Sequence, residues 1–315
     1  MTPLLGIHHV TAIAGDPSSN VAFYAGVLGL RLVKKTVNFD DPETYHLYFG
    51  DEVGHPGTIM TFFPWAGAMR GRHGVGQLTV TSFAVPPQAL GYWSERLRSH
   101  GVTPEPSEVL GEEVLAFEDP DGLQLEIVGM SNVAKRPGWA GGPVPAEHAI
   151  RGFAQVTLAE EGYEATARLL TEIMGFRLAA ESGNRFRYTI GEGAVGTRVD
   201  VVCTPDAPPG RVAAGTVHHV AFRVAGDAEQ EQWRERLAER GINVTPVLDR
   251  QYFRSIYYRE PGGVLFEIAT DPPGFTVDES IADLGTRLQL PPRLERARAR
   301  IEAALPPLVE AAASV

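Results

Sequence analysis

Two pairs of adjacent histidines and one glutamate stand on apolar stretches that have the composition of β-strands. The pairs are His8-His9 and His218-His219, and the glutamate is Glu267. Imidazole nitrogens and a carboxylate oxygen suit Fe(II) and Mn(II), and a set of two histidines and one carboxylate leaves coordination positions open for other molecules. A buried glutamate needs such a partner, because an unpaired carboxylate in an apolar strand is costly. These residues therefore indicate a metal site that can also bind small ligands.

The elements that position these residues are predicted by internal repeats. Segment 27–32 is echoed by segment 173–178, and segment 93–102 by segment 233–242. In each case a glycine follows an amphipathic helical stretch, as expected of a left-handed residue that ends a helix. The first and third of these helices are expected over 20–28 and 163–174. We predict an α+β fold of four βαβββ modules, which span residues 5–65, 77–129, 148–205 and 215–270.

Proline and glycine between the second and third modules predict the main division of the chain. The stretch 130–147 is rich in both residues and has the composition of a linker. The sequence thus predicts an N-terminal pair of modules in residues 1–140, a C-terminal pair in 141–280, and a helix with a tail in 281–315. The apolar stripe of that helix is expected to pack on the body of the protein or on a partner subunit, and it consists of Leu294, Ala297, Ile301 and Leu305.

Alignment of the repeats tests the metal hypothesis. His9 lies 20 residues before Gly29, and the position 20 residues before Gly175 is Gln155. The counterpart of His219 in the second module is Thr79 or Val80, whereas Glu267 has a counterpart in Glu126. Only the first and fourth modules together supply two histidines and a carboxylate. We therefore predict two open-barrel cups, in which modules one and four share the metal site and modules two and three pair without a ligand set.

Composition narrows the class of partner. The formal charge of −11 over 315 residues argues against nucleic acid and anionic membrane surfaces, because both need clustered lysine and arginine. No stretch of the sequence approaches the roughly 18 apolar residues of a spanning helix, and the N-terminal residues lack the pattern of a secretory signal. Cys203 is the only cysteine. These features predict a cytoplasmic protein that binds a small neutral or weakly acidic molecule.

The chain resembles the vicinal oxygen chelate superfamily and, within it, the bacterial dioxygenases that open hydroquinone rings. The matching segments are 8–11, 45–54, 218–219, 249–253 and 261–267. The resemblance implies that His9, His219 and Glu267 bind Fe(II), with Mn(II) as a second possibility, and that a dihydroxylated aromatic substrate reacts with O₂.

The resemblance also implies roles for the residues around the metal. His8, His218 and Tyr257 are expected to act as acids or bases, and Thr11 and Arg250 to bind the substrate. A homo-oligomer is expected. The remaining histidines are interpreted as surface or structural residues, and Glu126 as hydrogen-bonded or salt-bridged; these histidines are His46, His55, His73, His100 and His148.

Two other functions remain open at this point. The first is a metal-dependent isomerase or lyase of the glyoxalase kind, which would usually recruit a fourth protein ligand; none is evident near Met60 or Thr61. The second is a metal-free small-molecule-binding protein of the antibiotic-resistance kind. Such a protein would not need the complete set of two histidines and one glutamate.

Overall fold

A computed structural model describes residues 3–133 and 136–309. The first module contains β1 (Ile7–Ala14), α1 (Pro17–Val21) with a π-helical continuation (Ala22–Val27), β2 (Arg31–Asn38), β3 (Asp41–Gly50) and β4 (Ile59–Pro64). The second module contains β5 (Gln77–Val85), a 3₁₀ turn (Pro87–Ala89), α2 (Leu90–Ser99), β6 (Glu105–Val109), β7 (Glu112–Glu118) and β8 (Gln124–Gly129). Both modules have the predicted order of one strand, one helix and three strands.

The second half of the chain repeats this order. The third module contains β9 (Phe153–Glu160), α3 (Glu164–Arg168) with a π-helical continuation (Leu169–Ile173), β10 (Arg177–Ser182), β11 (Arg185–Thr189) and β12 (Arg198–Cys203). The fourth contains β13 (Thr216–Val224), α4 (Asp227–Glu239), β14 (Leu248–Asp249), β15 (Arg254–Arg259) and β16 (Leu265–Thr270). Two 3₁₀ turns (Phe275–Val277 and Ile281–Asp283) precede α5 (Pro292–Glu295) and α6 (Arg298–Ala304).

The modules pair as two curved eight-stranded sheets. One sheet has the order β14-β15-β16-β13-β1-β4-β3-β2 and so joins modules four and one, and the other has the order β10-β11-β12-β9-β5-β8-β7-β6 and joins modules three and two. The first strands of the paired modules are antiparallel neighbours at the centre of each sheet. The predicted α+β fold and the predicted pairing of modules are confirmed.

The central strands are buried along their whole length. All eight residues of β1 are buried, and β13 has only two half-buried positions. Valine, isoleucine and phenylalanine on one face join the main core, which is the composition expected of strands covered on both faces. The histidines of both pairs therefore lie on buried strands at the centre of the first sheet.

The helices of the first and third modules differ from the prediction. The first begins at Pro17, where Asp16 accepts a hydrogen bond from the Ser19 backbone as an N-cap. Each short α-helix then widens into a π-helical turn, which periodicity over so few residues could not distinguish from an α-helix. The glycines that follow are left-handed as predicted, with φ of 66° at Gly29 and 80° at Gly175.

The C-terminal segment packs on the body of the protein. The predicted single helix is two short ones, and its apolar stripe meets Val37 of β2 and the half-buried Tyr45 of β3. Residues 310–315 of the predicted tail and residues 134–135 of the predicted linker lie outside the described residues. The division of the chain near residue 140 stays a prediction. Across 3–133 and 136–309, no helix is long and apolar enough to cross a membrane.

Candidate metal centre

The two histidines and the glutamate predicted as metal ligands come from three adjacent strands. His219 on β13 is paired with Thr11 of β1, and His9 of β1 is paired with Ala221. Ala221 in turn lies beside Glu267 of β16. Because side chains alternate along a strand, this register puts the three side chains on the same face of the sheet.

The three side chains converge on one point. The Nε2 atoms of His9 and His219 are 3.2 Å apart. The Oε2 atom of Glu267 is 3.3 Å from His9 Nε2 and 2.9 Å from His219 Nε2. All three residues are buried. Metal bonds of about 2.1 Å at right angles would place ligand atoms roughly 3.0 Å apart, so these spacings suit one face of an octahedron.

The contact that Nδ1 makes on each ring explains why the Nε2 atoms point toward Glu267 and toward each other. Nδ1 of His9 lies 2.9 Å from Nδ1 of His8, and Nδ1 of His219 lies 2.8 Å from Nδ1 of His218. A ring that donates its Nδ1–H to its neighbour leaves an unprotonated Nε2, which is the form that binds a metal. The lone pairs of both Nε2 atoms and of Glu267 would then face each other. The donor set therefore fits a divalent cation.

A hydrogen bond to the second carboxylate oxygen of Glu267 holds this side chain in place. Ser255 Oγ on β15 donates a hydrogen bond of 2.5 Å to Glu267 Oε1. Burial alone would raise the pKa of Glu267, but the neighbouring His9 and His219 outweigh burial and hold this pKa well below its usual value. The glutamate is thus ionised, oriented and directed with Oε2 toward the histidines.

A cavity of about 350 Å³ opens beside two of these residues, His9 and His219. Its walls are mainly aromatic, and seven of its side chains carry hydroxyl, imidazole or guanidinium groups. The lining consists of His9, Asn38, Phe39, Asp40, His46, Tyr48, Phe63, Trp65, His218, His219, Arg250, Phe253, Tyr257 and Leu265. A cavity of this size and character suits one small aromatic molecule.

Three of the residues predicted around the metal line this cavity, namely His218, Tyr257 and Arg250. Arg250 Nε lies 3.3 Å from the Tyr257 hydroxyl, and Arg250 Nη1 lies 3.0 Å from Asp40 Oδ2. Burial, followed by the charge of Glu267, raises the pKa of Tyr257, which keeps the hydroxyl protonated. Burial, followed by His219, lowers the pKa of His218 to about 3, so its ring is neutral.

His8 and Thr11 are not among the residues that line the cavity. His8 is buried, and its ring centroid is 5.1 Å from that of Phe253. Its position lets it orient His9, and its predicted role as an acid or base stays a prediction. The Thr11 hydroxyl lies 2.9 Å from that of Thr61, so its predicted contact with the substrate also stays a prediction.

His46 lines the cavity, although its sequence context was interpreted as surface or structural. Its Nε2 lies 2.8 Å from Thr61 Oγ1, and its Nδ1 lies 2.8 Å from the Tyr48 hydroxyl. Thr11, Thr61, His46 and Tyr48 thus form one hydrogen-bonded chain along the wall. The alternation Tyr-His-Leu-Tyr-Phe on β3 was the signal in the sequence, because it places Tyr45, Leu47 and Phe49 on one face and His46 with Tyr48 on the other.

The other single histidines lie away from this cavity. His55 pairs with Asp51, His73 bonds the Gly122 carbonyl and His148 stacks on Tyr92. Glu126 accepts a hydrogen bond from Ser82, as predicted.

Comparison with known proteins shows the family of the chain. Residues 6–127 and 152–268 match the Glyoxalase/Bleomycin resistance protein/Dioxygenase superfamily. The chain belongs to this superfamily, which confirms the predicted resemblance.

Curated relatives define the branch of the family. The chain is 50% identical over 307 residues to MhqO of Bacillus subtilis (strain 168), which is named as a ring-cleaving dioxygenase, with 96% of each chain covered. It is 38% identical over 299 residues to a chlorohydroquinone/hydroquinone 1,2-dioxygenase of Sphingobium indicum, with 92% of each covered. The chain is accordingly a dioxygenase of the ring-cleaving kind.

Solved structures agree with the fold. A crystal structure from Bacillus subtilis, titled as that of a dioxygenase, is 48% identical and superposes with a TM-score of 0.95 over 99% of each chain. Glyoxalase I of Zea mays shares the fold alone, with a TM-score of 0.61 at 16% identity over 84% of this chain and 92% of that one.

Proposed function

We propose that the protein is an Fe(II)-dependent dioxygenase that cleaves a hydroquinone-type ring next to a hydroxyl group. One observation carries the proposal: the His9, His219 and Glu267 side chains converge at the wall of a small aromatic cavity. The likeness to a hydroquinone dioxygenase supports the choice of substrate. A closed structural site would not border a cavity of this kind.

The residues would hold the metal as a set of two imidazole nitrogens and one carboxylate oxygen. When bound, Fe(II) would bring a substrate oxygen and O₂ together and pass charge between them. Mn(II) accepts the same ligands and is the second choice. His8, His218 and Ser255 would fix the orientations of His9, His219 and Glu267 respectively, because each makes its contact at the atom that does not face the metal.

Tyr257 and His218 are placed to handle protons in the cavity. The raised pKa of Tyr257 leaves its O–H as a hydrogen-bond donor to an oxygen of the substrate. If the His219 Nδ1–H is donated to His218 Nδ1, then His218 carries its proton on Nε2 and can also donate into the cavity. Both groups border the cavity, and a donor in that position stabilises negative charge that develops on a ring oxygen.

A second set of polar groups in the cavity would favour para-dihydroxylated rings. A vicinal diol can chelate a metal through both oxygens, whereas a para-diol directs its second hydroxyl away from the metal. Arg250 and Asp40 lie in the lining and supply a donor and an acceptor for that distant hydroxyl. A site that pairs a buried hydroxyl discriminates against substrates that lack it.

The experiment is oxygen consumption by freshly iron-loaded protein, with matched series of hydroquinones and catechols. We expect one O₂ per hydroquinone and faster turnover of hydroquinones than of catechols. Hemithioacetal isomerisation is measured with the same preparation. If isomerisation occurs and no diol consumes O₂, the proposal is wrong and the glyoxalase-like function replaces it. If catechols far outpace hydroquinones, the para preference is wrong.

A further inference from the structure

The strands of modules one and four are related by an approximate twofold symmetry, which extends to the residues around the metal centre. Glu267 of β16 is paired with the residue of β13 that is paired with His9. Thr61 of β4 is paired with the residue of β1 that is paired with His219. Thr61 therefore occupies in module one the position that Glu267 occupies in module four, and both side chains lie on the face of the sheet that carries the two histidines.

The strand beyond each of these two positions continues the symmetry. A tyrosine is paired with each of them, Tyr257 of β15 in module four and Tyr48 of β3 in module one. Two residues before these tyrosines stand Ser255 and His46 respectively. His46 is thus the counterpart of the serine that holds the metal-binding carboxylate.

The same hydrogen bond occurs in both modules with side chains of exchanged length. Ser255 Oγ donates to Glu267 Oε1 at 2.5 Å, and His46 Nε2 lies 2.8 Å from Thr61 Oγ1. In module four the short side chain is on the outer strand and the long one points toward the histidines. In module one the order is reversed. Because the oxygen of a threonine is bonded to Cβ itself, Thr61 cannot extend an oxygen as far from its strand as Glu267 does.

His46 does not replace the missing carboxylate as a ligand. Burial raises the pKa of Tyr48 well above its usual value, so the hydroxyl keeps its proton and can donate to His46 Nδ1 at 2.8 Å. The ring then carries its own proton on Nε2 and donates it to Thr61 Oγ1. A protonated ring nitrogen has no lone pair for a metal. The Thr61 hydroxyl also lies 2.9 Å from that of Thr11, which holds it in this chain of hydrogen bonds.

These contacts bear on what the metal can bind. A glutamate in place of Thr61 would complete a set of two histidines and two carboxylates, the four-ligand kind of set expected of a glyoxalase-like isomerase. We propose that Thr61 and His46 determine the specificity of the site, because together they keep a fourth coordination position free of protein. The ion then retains a net positive charge and three open positions. The inference rests on the proposed function, since it explains why this site has three protein ligands.

The test rebuilds the arrangement of module four in module one. The double variant His46→Ser with Thr61→Glu places a serine and a glutamate where their counterparts are Ser255 and Glu267. Thr61→Val, which keeps the shape of threonine and adds no ligand, is the matched control. Each protein is loaded with Mn(II), and the relaxation of water protons measures the water molecules that exchange on the ion.

We expect about three exchanging waters per Mn(II) in the parent and in Thr61→Val, and about two in the double variant. The double variant should also retain Mn(II) about tenfold or more tightly in competition with a chelator, since it adds a carboxylate ligand. Its iron-loaded form should consume O₂ with hydroquinone about tenfold or more slowly than the parent, because the second carboxylate lowers the positive charge of the ion. Tighter metal binding with slower turnover is a combination that a merely destabilised protein would not show.

A second double variant guards against misfolding, because another buried carboxylate is costly before the metal binds. His46→Ser with Thr61→Gln brings a neutral amide oxygen to the same position, and it should lose one water as well. The inference is overturned if both double variants match the parent in water count and in Mn(II) affinity, or if they lose a water and still consume O₂ at the rate of the parent. The water count needs neither O₂ nor substrate, so it decides the inference separately from the proposed reaction, which fails when the parent consumes no O₂.

Discussion

A buried carboxylate far from the metal centre gives a quantitative prediction about stability. Glu160 ends β9 with a side chain that is 1% exposed, and neither of its oxygens has a partner among the described residues. It faces Glu260, whose carboxylate accepts hydrogen bonds from Thr166 and from the Val264 backbone. Burial, followed by the charge of Glu260, raises the pKa of Glu160 from 4.5 to about 8.

The raised pKa makes stability fall as the pH rises. Below pH 4.5 the carboxyl group is protonated in both the folded and the unfolded protein, so it does not make the free energy of unfolding depend on pH. Between pH 4.5 and about 8 only the folded protein keeps the proton, so the free energy of unfolding falls as the pH rises through this window. Above about pH 8 the carboxyl group is charged in both states, and the destabilisation reaches its full value. Each pKa unit corresponds to about 1.4 kcal/mol, and relaxation of the structure around the buried charge reduces the total to about 2 kcal/mol.

The perturbation is Glu160→Gln, which keeps the shape and removes the charge. The variant is expected to match the parent near pH 4.5 and to exceed its free energy of unfolding by about 2 kcal/mol at pH 9. Urea unfolding at pH 5, 7 and 9 measures this, with Glu161→Gln at the exposed neighbouring position as the control. A Glu160→Gln protein with the same pH dependence as the parent would show that the carboxyl group is not buried in its charged form.

Two further substitutions test individual contacts. Ser255→Ala removes the hydrogen bond that holds Glu267, and metal affinity, measured by competition with a chelator, is expected to fall by about 10–100-fold; an unchanged affinity would mean that the serine does not orient the ligand. Lys34 is fully buried and pairs with Asp278 and Glu279. Lys34→Met leaves both carboxylates without a cationic partner and should cost about 3–5 kcal/mol in denaturant unfolding, and a loss below about 1 kcal/mol would contradict this.

The internal repeats explain why so much of the fold could be predicted from the sequence. The glycines that end the four helices mark equivalent positions, and equivalent positions fix which strands must pair. Gln155 at the place of His9 then shows that modules one and four, rather than sequence neighbours, bring two histidines and a glutamate together. That inference needed only the register of the repeats, because directly paired residues on neighbouring strands have their side chains on the same face of the sheet.

Other features depend on contacts that sequence spacing does not encode. The π-helical turns differ from α-helices by one residue in the spacing of their backbone hydrogen bonds, which sequence periodicity cannot show in stretches as short as 22–27. The alternation on β3 indicates the face on which His46 lies, but its hydrogen bonds to Thr61 and Tyr48 depend on side-chain positions that the sequence does not give. Thr11 and His8 are not among the residues that line the cavity. The predicted homo-oligomer and the predicted cytoplasmic location stay predictions.

The central claim is that His9, His219 and Glu267 together bind one metal ion. The most direct measurement is the metal content of anaerobically iron-loaded parent protein and of the three alanine variants, with Glu126→Ala, the counterpart of Glu267 in the other sheet, as the matched control. We expect one iron per chain in the parent and in Glu126→Ala, and folded but metal-poor protein in the other three. Full iron occupancy in Glu267→Ala would contradict the account.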